Sequence, residues 1–290
     1  MHLRRLIPAL VAIFALSIGS ASAAIVTAGL IQNLDAGSGV VESGGAGTGV
    51  TSWANSAASG GDDLVTDRGT IGLTTGGAFD YLTLGGGGPP RMVGDDAAAF
   101  DSIMNGNGHT WFAVVRPEVD QNGGQKNAIF GTLTNSNPFS GVVAHVSNNA
   151  NAGYMTRPAG SDVFANGTTN VNDGGWHILV GRLDSGTTLP LAEVFTNGPV
   201  AEGTANPGIL ATTNSDAFTL GAERIGGGEN YLGDIAQILI YDRPLSDPEL
   251  NQTGFALGQA FGIPNAFVPE PSAAALFGLG MLLIFRRRRR

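Results

Sequence analysis

The chain has 290 residues, a formal net charge of −9, 45 glycines and no cysteine. The lack of cysteine excludes disulfides, thiolate metal sites and cysteine nucleophiles. The basic residues lie mostly near the two ends, so residues 25–267 contain eight basic and 23 acidic residues, a net charge near −15. Such an excess argues against nucleic acid and anionic lipid as partners of this region, and is compatible with neutral glycans or divalent cations.

Residues 1–24 have the organisation of a secretory signal peptide. Arg4 and Arg5 precede an apolar stretch at residues 6–18, and small residues follow at 21–24. This order predicts cleavage after Ala23 or Ala24 and export of the rest of the chain. The residues around Arg4 and Arg5 fit a twin-arginine signal poorly, so we expect general secretion.

The body, residues 25–267, shows the period of β-strands and little helical pattern. Asn-Gly, Gly-Gly and Asn-Pro turns separate its short apolar runs, which indicates an all-β sandwich or barrel. The glycine-rich residues 37–61 are expected to be loop with strand fragments. Two helices are predicted, at residues 96–104 and after Ser246, where Glu249 has the spacing of a capping box. The predicted strands are residues 78–84, 110–116, 128–133, 141–147, 176–183, 191–196, 217–220 and 231–241.

Several of these segments resemble LamG-type, concanavalin A-like domains. Trp176-His177 followed by Val194-Phe195-Thr196-Asn197-Gly198 is similar to a hairpin of that family, and residues 232–250 resemble its closing strand and helix. Residues 109–116 and 31–53 are consistent with earlier strands of the fold. The resemblance implies a jelly-roll sandwich of two antiparallel sheets, one of them concave, spanning residues 25–267.

The large and charged residues of these motifs have structural interpretations. Trp53, Trp111 and Trp176 are expected in the core because they are bulky and lie in strand-like sequence. Tyr241 is expected to pack against the body, and Arg243 to pair with a nearby acid or with backbone carbonyls.

The acids and histidines do not form a catalytic pattern. Glycosidases on this fold need two carboxylates across the scissile bond, which usually appear two or four residues apart on one strand. The adjacent pairs Asp62-Asp63 and Asp95-Asp96 would point to opposite sides of a strand, and Glu223 and Glu229 flank a glycine run without a motif. The body histidines have no zinc-binding spacing. The sequence therefore predicts a protein that is not an enzyme.

Loop acids and asparagines leave a calcium site open. Asp and Asn side chains supply the hard oxygen ligands that Ca²⁺ prefers, but the same residues also form Asx-turns at hairpin ends. Asp234, after a glycine at a strand entrance, has the same two interpretations. The candidate calcium ligands are Asp120, Asn122, Asn172, Asp173 and Asp234.

Exposed aromatic side chains are the expected platforms for sugar rings. Tyr154, Phe164 and Tyr231 are the candidates, because glycine or asparagine lies near each of them in the sequence.

Residues 268–290 have three parts in a fixed order. Pro269, Glu270 and Pro271 precede 14 uncharged residues at 272–285, and the chain closes with Arg286, Arg287, Arg288, Arg289 and Arg290. The apolar run would span about 21 Å as a helix, against a bilayer core of about 30 Å. The order resembles the PEP-CTERM sorting tail of Gram-negative bacteria. That resemblance implies transient insertion in the cytoplasmic membrane and processing by an exosortase-type membrane protease; the alternative is an ordinary tail anchor.

Together these features predict a secreted protein, sorted to the cell envelope, cell surface or extracellular matrix. Its expected role is to bind a glycan or a matrix polysaccharide without catalysis. Two alternatives stay open: a polysaccharide-active hydrolase or lyase on the same fold, and an architectural surface protein without a specific ligand.

Overall fold

The segments rich in β-branched and aromatic residues pair into two sheets. The computed structural model describes residues 24–44, 49–58, 60–85, 89–94, 97–104, 107–118, 126–137, 139–158, 161–186, 191–207, 216–264 and 266–267. All strand ladders within these ranges are antiparallel, and the two sheets pack face to face. The predicted all-β jelly-roll sandwich is confirmed.

The first sheet is built around two long strands near its centre. In spatial order its strands are β15 (Gly203–Ala205), β14 (Ala192–Thr196), β13 (His177–Leu183), β8 (His109–Pro117), β17 (Gly233–Tyr241), β6 (Tyr81–Leu84) and β5 (Ile71–Thr74), with β1 (Leu30–Asp35) also on β17. β8 pairs with one side of β17. On the other side, β6 pairs with the first residues of β17 and β1 with the last.

The second sheet covers the other side of the core. In spatial order its strands are β12 (Val163–Asn170), β11 (Asn151–Arg157), β10 (Gly141–Ser147), β9 (Lys126–Gly131), β16 (Thr219–Leu220), β7 (Arg91–Val93), β4 (Leu64–Arg68), β3 (Val50–Trp53) and β2 (Val40–Glu42).

The predicted strands all contain strand in the structure, with shifted ends. The structure adds strands that the pattern did not single out, among them β4, β5, β11 and β12. Both predicted helices form, the first as a 3₁₀ turn (Ala97–Phe100) followed by α1 (Asp101–Met104), the second as α2 (Asp247–Ala260). The capping box is confirmed, since the Glu249 carboxylate accepts from the amide and the hydroxyl of Ser246, at 3.0 and 2.8 Å.

Two apolar clusters lie on opposite faces of the first sheet. Between the sheets, Trp53 and Trp111 are fully buried, as predicted, among aliphatic side chains from both sheets. On the outer face, Phe112 and Tyr241 pack with α2 and the C-terminal residues. Burial of both faces explains why every residue of β17 is buried and why, apart from Asp234 and Gln237, its residues are apolar at successive positions rather than at alternate ones.

The end of the described chain is locked into this outer cluster. Phe267 is fully buried, and its ring lies where a Cβ on Gly254 of α2 would stand, 2.3 Å from the nearest ring atom. The amide of Phe267 also donates to the carbonyl of Asn197 at 3.4 Å. Glycine in a helix interior costs about 1 kcal/mol relative to alanine. The close approach of Phe267 accounts for glycine at this position.

One buried histidine lies in the core between the sheets. His109 Nε2 and the hydroxyl of Tyr154 form a hydrogen bond, and both side chains are almost inaccessible. Burial, opposed by a weaker hydrogen bond to the backbone of Ile103, lowers the pKa of His109 from 6.5 to about 4. The imidazole is therefore neutral in the folded protein at neutral pH.

We predict a loss of stability on mild acidification that depends on His109. Between pH 6.5 and 4 the unfolded chain binds a proton at this residue and the folded chain does not, so the free energy of unfolding falls as pH falls, by about 3 kcal/mol. Denaturant unfolding at pH 7, 6, 5 and 4 checks this. The difference between wild type and His109→Gln should shrink as pH falls, and parallel pH profiles would contradict the assignment.

We also predict that Gly254→Ala destabilises the protein, although alanine is the better helix former. The added methyl would displace Phe267, at a cost of about 1–3 kcal/mol in the free energy of unfolding. Gln259→Ala, at an exposed position of α2, is the control and should change stability by less than about 0.5 kcal/mol. In a double-mutant cycle, Gly254→Ala should cost much less in a Phe267→Ala background; additive effects would rule out the contact.

Candidate functional site

A row of polar side chains crosses the outer face of the first sheet at one end. Asp234, the second residue of β17, lies opposite Thr83 of β6 on one side and Arg116 of β8 on the other. The register of three strands thus brings together residues separated by more than 100 positions in the sequence. Gly233 precedes the row with φ +134°, and a Cβ there would lie 2.5 Å from the carbonyl oxygen of Arg116.

The carboxylate of Asp234 accepts hydrogen bonds from both of its neighbours in the row, Arg116 and Thr83. Its Oδ2 accepts from Arg116 Nε at 2.8 Å and from Nη2 at 2.6 Å, and its Oδ1 accepts from the Thr83 hydroxyl at 2.6 Å. The Asp234 side chain is 12% exposed and the Arg116 side chain 35% exposed. Partial burial opposes the charge on Arg116, but the hydrogen bond and the charge of Asp234 outweigh it and raise the pKa of Arg116. The guanidinium is therefore fixed and charged.

Two aromatic rings flank the guanidinium of Arg116. Its Cζ lies 5.2 Å from the ring centroid of Tyr81 and 5.1 Å from that of Trp176, which is within the range of cation–π attraction. The two rings meet edge to face at 5.3 Å. Trp176 is half-buried and belongs to the outer cluster rather than to the core between the sheets. Trp176 was predicted to lie in the core. It packs half-buried against the outer cluster, so the prediction is wrong for the core between the sheets.

A cleft of about 510 Å³ opens beside this row. Its volume falls in the range of small-ligand sites, about 300–1,000 Å³. Three of its lining residues are glycines. The lining residues are Thr83, Leu84, Gly85, Arg116, Pro117, Glu118, Gly174, Gly233 and Asp234.

The loop before β13 brings Gly174 to the cleft and contains two of the predicted calcium ligands. Asp173 is exposed, and its Oδ1 accepts from the amide of Gly175 at 2.8 Å and contacts His177 Nε2 at 2.9 Å. These contacts, the one to His177 first, lower the pKa of Asp173. The amide of Asn172 donates to Asn170 Oδ1 at 2.8 Å. Asp173 therefore forms an Asx-turn, the alternative that the sequence left open, whereas the Asx-turn at Asn172 uses the side chain of Asn170 and not that of Asn172.

No group of three or more His, Cys, Asp or Glu side chains in the described ranges is placed to hold a metal ion. Asp234 faces a guanidinium, which is the opposite of what a cation site needs. Asp120 and Asn122 lie outside the described residues, so the calcium site proposed for their loop stays a prediction.

Two of the three predicted sugar platforms are wrong. Tyr154 and Tyr231 are fully buried in the core between the sheets. Each hydroxyl has a partner inside the protein, His109 for Tyr154 and the carbonyl of Asp234 at 3.2 Å for Tyr231. Phe164 is half-buried on the second sheet, where its ring lies 5.6 Å from that of His145, away from the cleft.

The chemistry of the cleft is suited to hydrogen bonding rather than to proton transfer. Both carboxylate oxygens of Asp234 accept hydrogen bonds, from Arg116 and Thr83, so this acid is held in one orientation. A charged fork of N–H donors beside aromatic rings recognises hydroxyl and carboxylate oxygens of a bound molecule. The arrangement favours binding.

The sequence offered little signal for Arg116, Thr83 and Tyr81. Each lies on a predicted strand, but strand pairing decides their neighbours and pairing is not visible in a single sequence. Asp234 was recognised as a functional candidate, although with a cation rather than an arginine as its partner.

The sorting-tail residues 269–271 and 286–290 lie outside the described residues, as does the signal segment up to residue 23. Of the helices within the described ranges, none has the length and apolar character needed to cross a membrane.

Two family models match this chain. The first, described as the concanavalin A-like lectin/glucanases superfamily, matches residues 93–251. The second, the PEP-CTERM protein-sorting motif, matches residues 267–290. A search of curated proteins found no matching relative.

Solved structures share the fold at low sequence identity. Domain 4 of the arabinanase AbnA from Geobacillus stearothermophilus, in complex with arabinotriose, has a TM-score of 0.54 at 17% identity, covering 80% of this chain and 100% of that one. The binding domain of botulinum neurotoxin DC in complex with SialylT has a TM-score of 0.54 at 12% identity, over 77% of this chain. That of Paraclostridial Mosquitocidal Protein 1 has 0.55 at 12% identity, over 79%. This chain covers about half of the two toxin chains, 50% and 52%.

We predict that Asp234→Asn destabilises the fold by about 1–3 kcal/mol, because it leaves the half-buried Arg116 without its counter-charge. Thr83→Val keeps the ion pair and should cost less than about 1 kcal/mol. Chemical denaturation of the three proteins checks the order. Equal effects of the two substitutions would mean that the ion pair does not hold the row in place.

Proposed function

Because the chain belongs to the concanavalin A-like lectin/glucanases superfamily and ends in a PEP-CTERM sorting motif, we propose that it is an exported surface protein that binds glycans without catalysis. The observation that carries the proposal is the cleft beside the Thr83–Asp234–Arg116 row. An oriented guanidinium and a hydroxyl line the cleft, and two aromatic rings that flank the guanidinium lie next to this lining. The folds of an arabinotriose complex and of toxin binding domains support the class of ligand.

The net charge of the body favours neutral glycans over anionic ones. Near −15, residues 25–267 would repel polyanions at long range. Arg116 offers N–H donors to hydroxyl oxygens at short range, and Thr83, which is exposed, supplies a hydroxyl. We therefore propose a neutral cell-surface or matrix polysaccharide as the ligand.

The tail completes the proposed pathway. In this proposal the signal segment exports the body, the apolar run at 272–285 holds it in the cytoplasmic membrane, and an exosortase-type protease processes the tail before delivery to the surface or matrix. Retention of the intact tail on the mature protein in its host would replace processing by a plain anchor.

A glycan array probed with the body, residues 25–267, tests the binding proposal. The screen is made with calcium and again with a chelator. Because Asp120 and Asn122 are predicted calcium ligands, the comparison tests whether glycan binding needs calcium. Binding to a defined neutral glycan is the expected result. Silence in both conditions would instead favour the architectural role.

We predict that Arg116→Gln weakens binding of any glycan found on the array by at least about tenfold, which corresponds to about 1.4 kcal/mol. Arg224→Gln is the matched control. Arg224 also lies over an aromatic ring, with its Cζ 4.5 Å from the Phe139 centroid, and has an acidic partner in Glu223, but it is outside the cleft. Isothermal titration measures both. Equal losses in the two variants would place the binding site elsewhere.

A further inference from the structure

The root of the sorting tail lies beside an exposed apolar hairpin tip. We propose that this tip, residues 197–200, contacts the outer surface of the cytoplasmic membrane while the tail is inserted. The inference rests on the proposed insertion of the tail, and it adds a membrane-facing surface on the folded body that glycan binding does not require.

The root of the tail, Phe267, is part of the outer cluster of the body. Phe267 is fully buried with φ +47°, a left-handed conformation that a bulky side chain adopts only when its surroundings hold it. Its ring fits the space left by Gly254, and its amide donates to Asn197. The position where the chain leaves the body is therefore fixed.

The chain between this root and the apolar run is short. Only residues 268–271 separate Phe267 from Ser272, where the uncharged run begins. Five residue steps span about 18 Å at most, even fully extended. A tail inserted through residues 272–285 therefore keeps the root of the body within about that distance of the bilayer.

The hairpin tip lies within reach of the same surface. Asn197 accepts the hydrogen bond from the amide of Phe267, and Val200 follows three residues later, within about 11 Å along the chain. Val200 is 76% exposed. Within the described residues, this is the highest exposure of any large apolar side chain. Pro199 precedes it, so the tip of this hairpin presents apolar atoms to its surroundings.

The other end of the body joins at the same face. Residues that follow the signal segment pack on α2, where the amide of Val26 donates to the Thr253 hydroxyl at 3.3 Å and Gln252 Nε2 donates to the carbonyl of Ala24 at 2.8 Å. Both membrane-directed segments thus meet the body at the outer face of the first sheet. Since the body is acidic, the tether rather than charge attraction would hold the tip at the surface.

The absence of cysteine permits a direct test in the full-length chain. Val200→Cys and Val65→Cys each introduce a single thiol, labelled with an environment-sensitive fluorophore, and the proteins are reconstituted in phosphatidylcholine vesicles. Val65 is the matched control: it is 54% exposed, but it lies on the second sheet, on the side of the sandwich away from Phe267. We expect the label at 200, and not at 65, to shift to the blue and to be quenched by spin-labelled lipid.

A spacer variant separates proximity from general membrane affinity. A flexible Gly/Ser insertion of about 20 residues after Phe267 adds roughly 25 Å of mean reach, so it should abolish the shift at 200 while the protein still floats with vesicles. Identical spectra at 200 and 65 in floating protein would overturn the proposed contact. A chain that fails to float would overturn tail insertion itself, and the contact with it, whereas the glycan titrations do not depend on either result.

Discussion

The pairing of β17 with β8 is the constraint on which the rest of the structure depends. The two strands are more than 100 residues apart in sequence, yet they form the longest ladder in the described part of the first sheet. This ladder places Trp111 and Ile240 toward the second sheet, and Phe112 and Tyr241 toward α2. A shift of one residue in this register would exchange the two sets of side chains, so each set would face the wrong layer, the second sheet or α2. The same ladder sets Asp234 opposite Arg116, so the cleft is a consequence of the core's register.

Apolar side chains form the core of the body, whereas most of its acidic side chains lie outside this core. Its interior is apolar, with a neutral histidine and tyrosine where polar atoms are enclosed. Several acids outside the core are occupied by donors from the protein. Glu249 binds Arg243 and the start of α2, Arg243 first, which lowers the pKa of Glu249 to about 2, and Glu202 accepts from the amides of Thr168 and Thr169. These contacts tie strand and helix ends together.

Prediction from the sequence succeeded where local pattern determines structure. Alternation located the strands, the Ser246 and Glu249 spacing located the start of α2, and bulk placed Trp53 and Trp111 in the core. The pairing of Arg243 with a nearby acid is also confirmed, at 2.8 Å from Glu249. Prediction from the sequence failed where the neighbours of a residue come from distant strands. Tyr154 has glycine and asparagine neighbours typical of a surface, but its partner, His109, comes from the other sheet. Arg116 looked like the polar end of a strand, and only the register of β17 gives it a role.

Gly254 makes one of the packing contacts that join the body to the root of the tail. A glycine inside α2 weakens that helix in isolation, so its retention in this sequence is favourable only if the ring of Phe267 occupies the space. That ring fixes the position of Phe267 beside the hairpin after β14, where the Phe267 amide donates to Asn197. Because the same outer cluster contains Tyr241 of β17, Leu257 of α2 and Trp176 beside the cleft, the tail root is continuous with the layer that supports Arg116. The ligand cleft and the tail exit therefore share one face of one sheet. Release of the tail would leave the lining of the cleft unchanged, because none of the lining residues belongs to the tail.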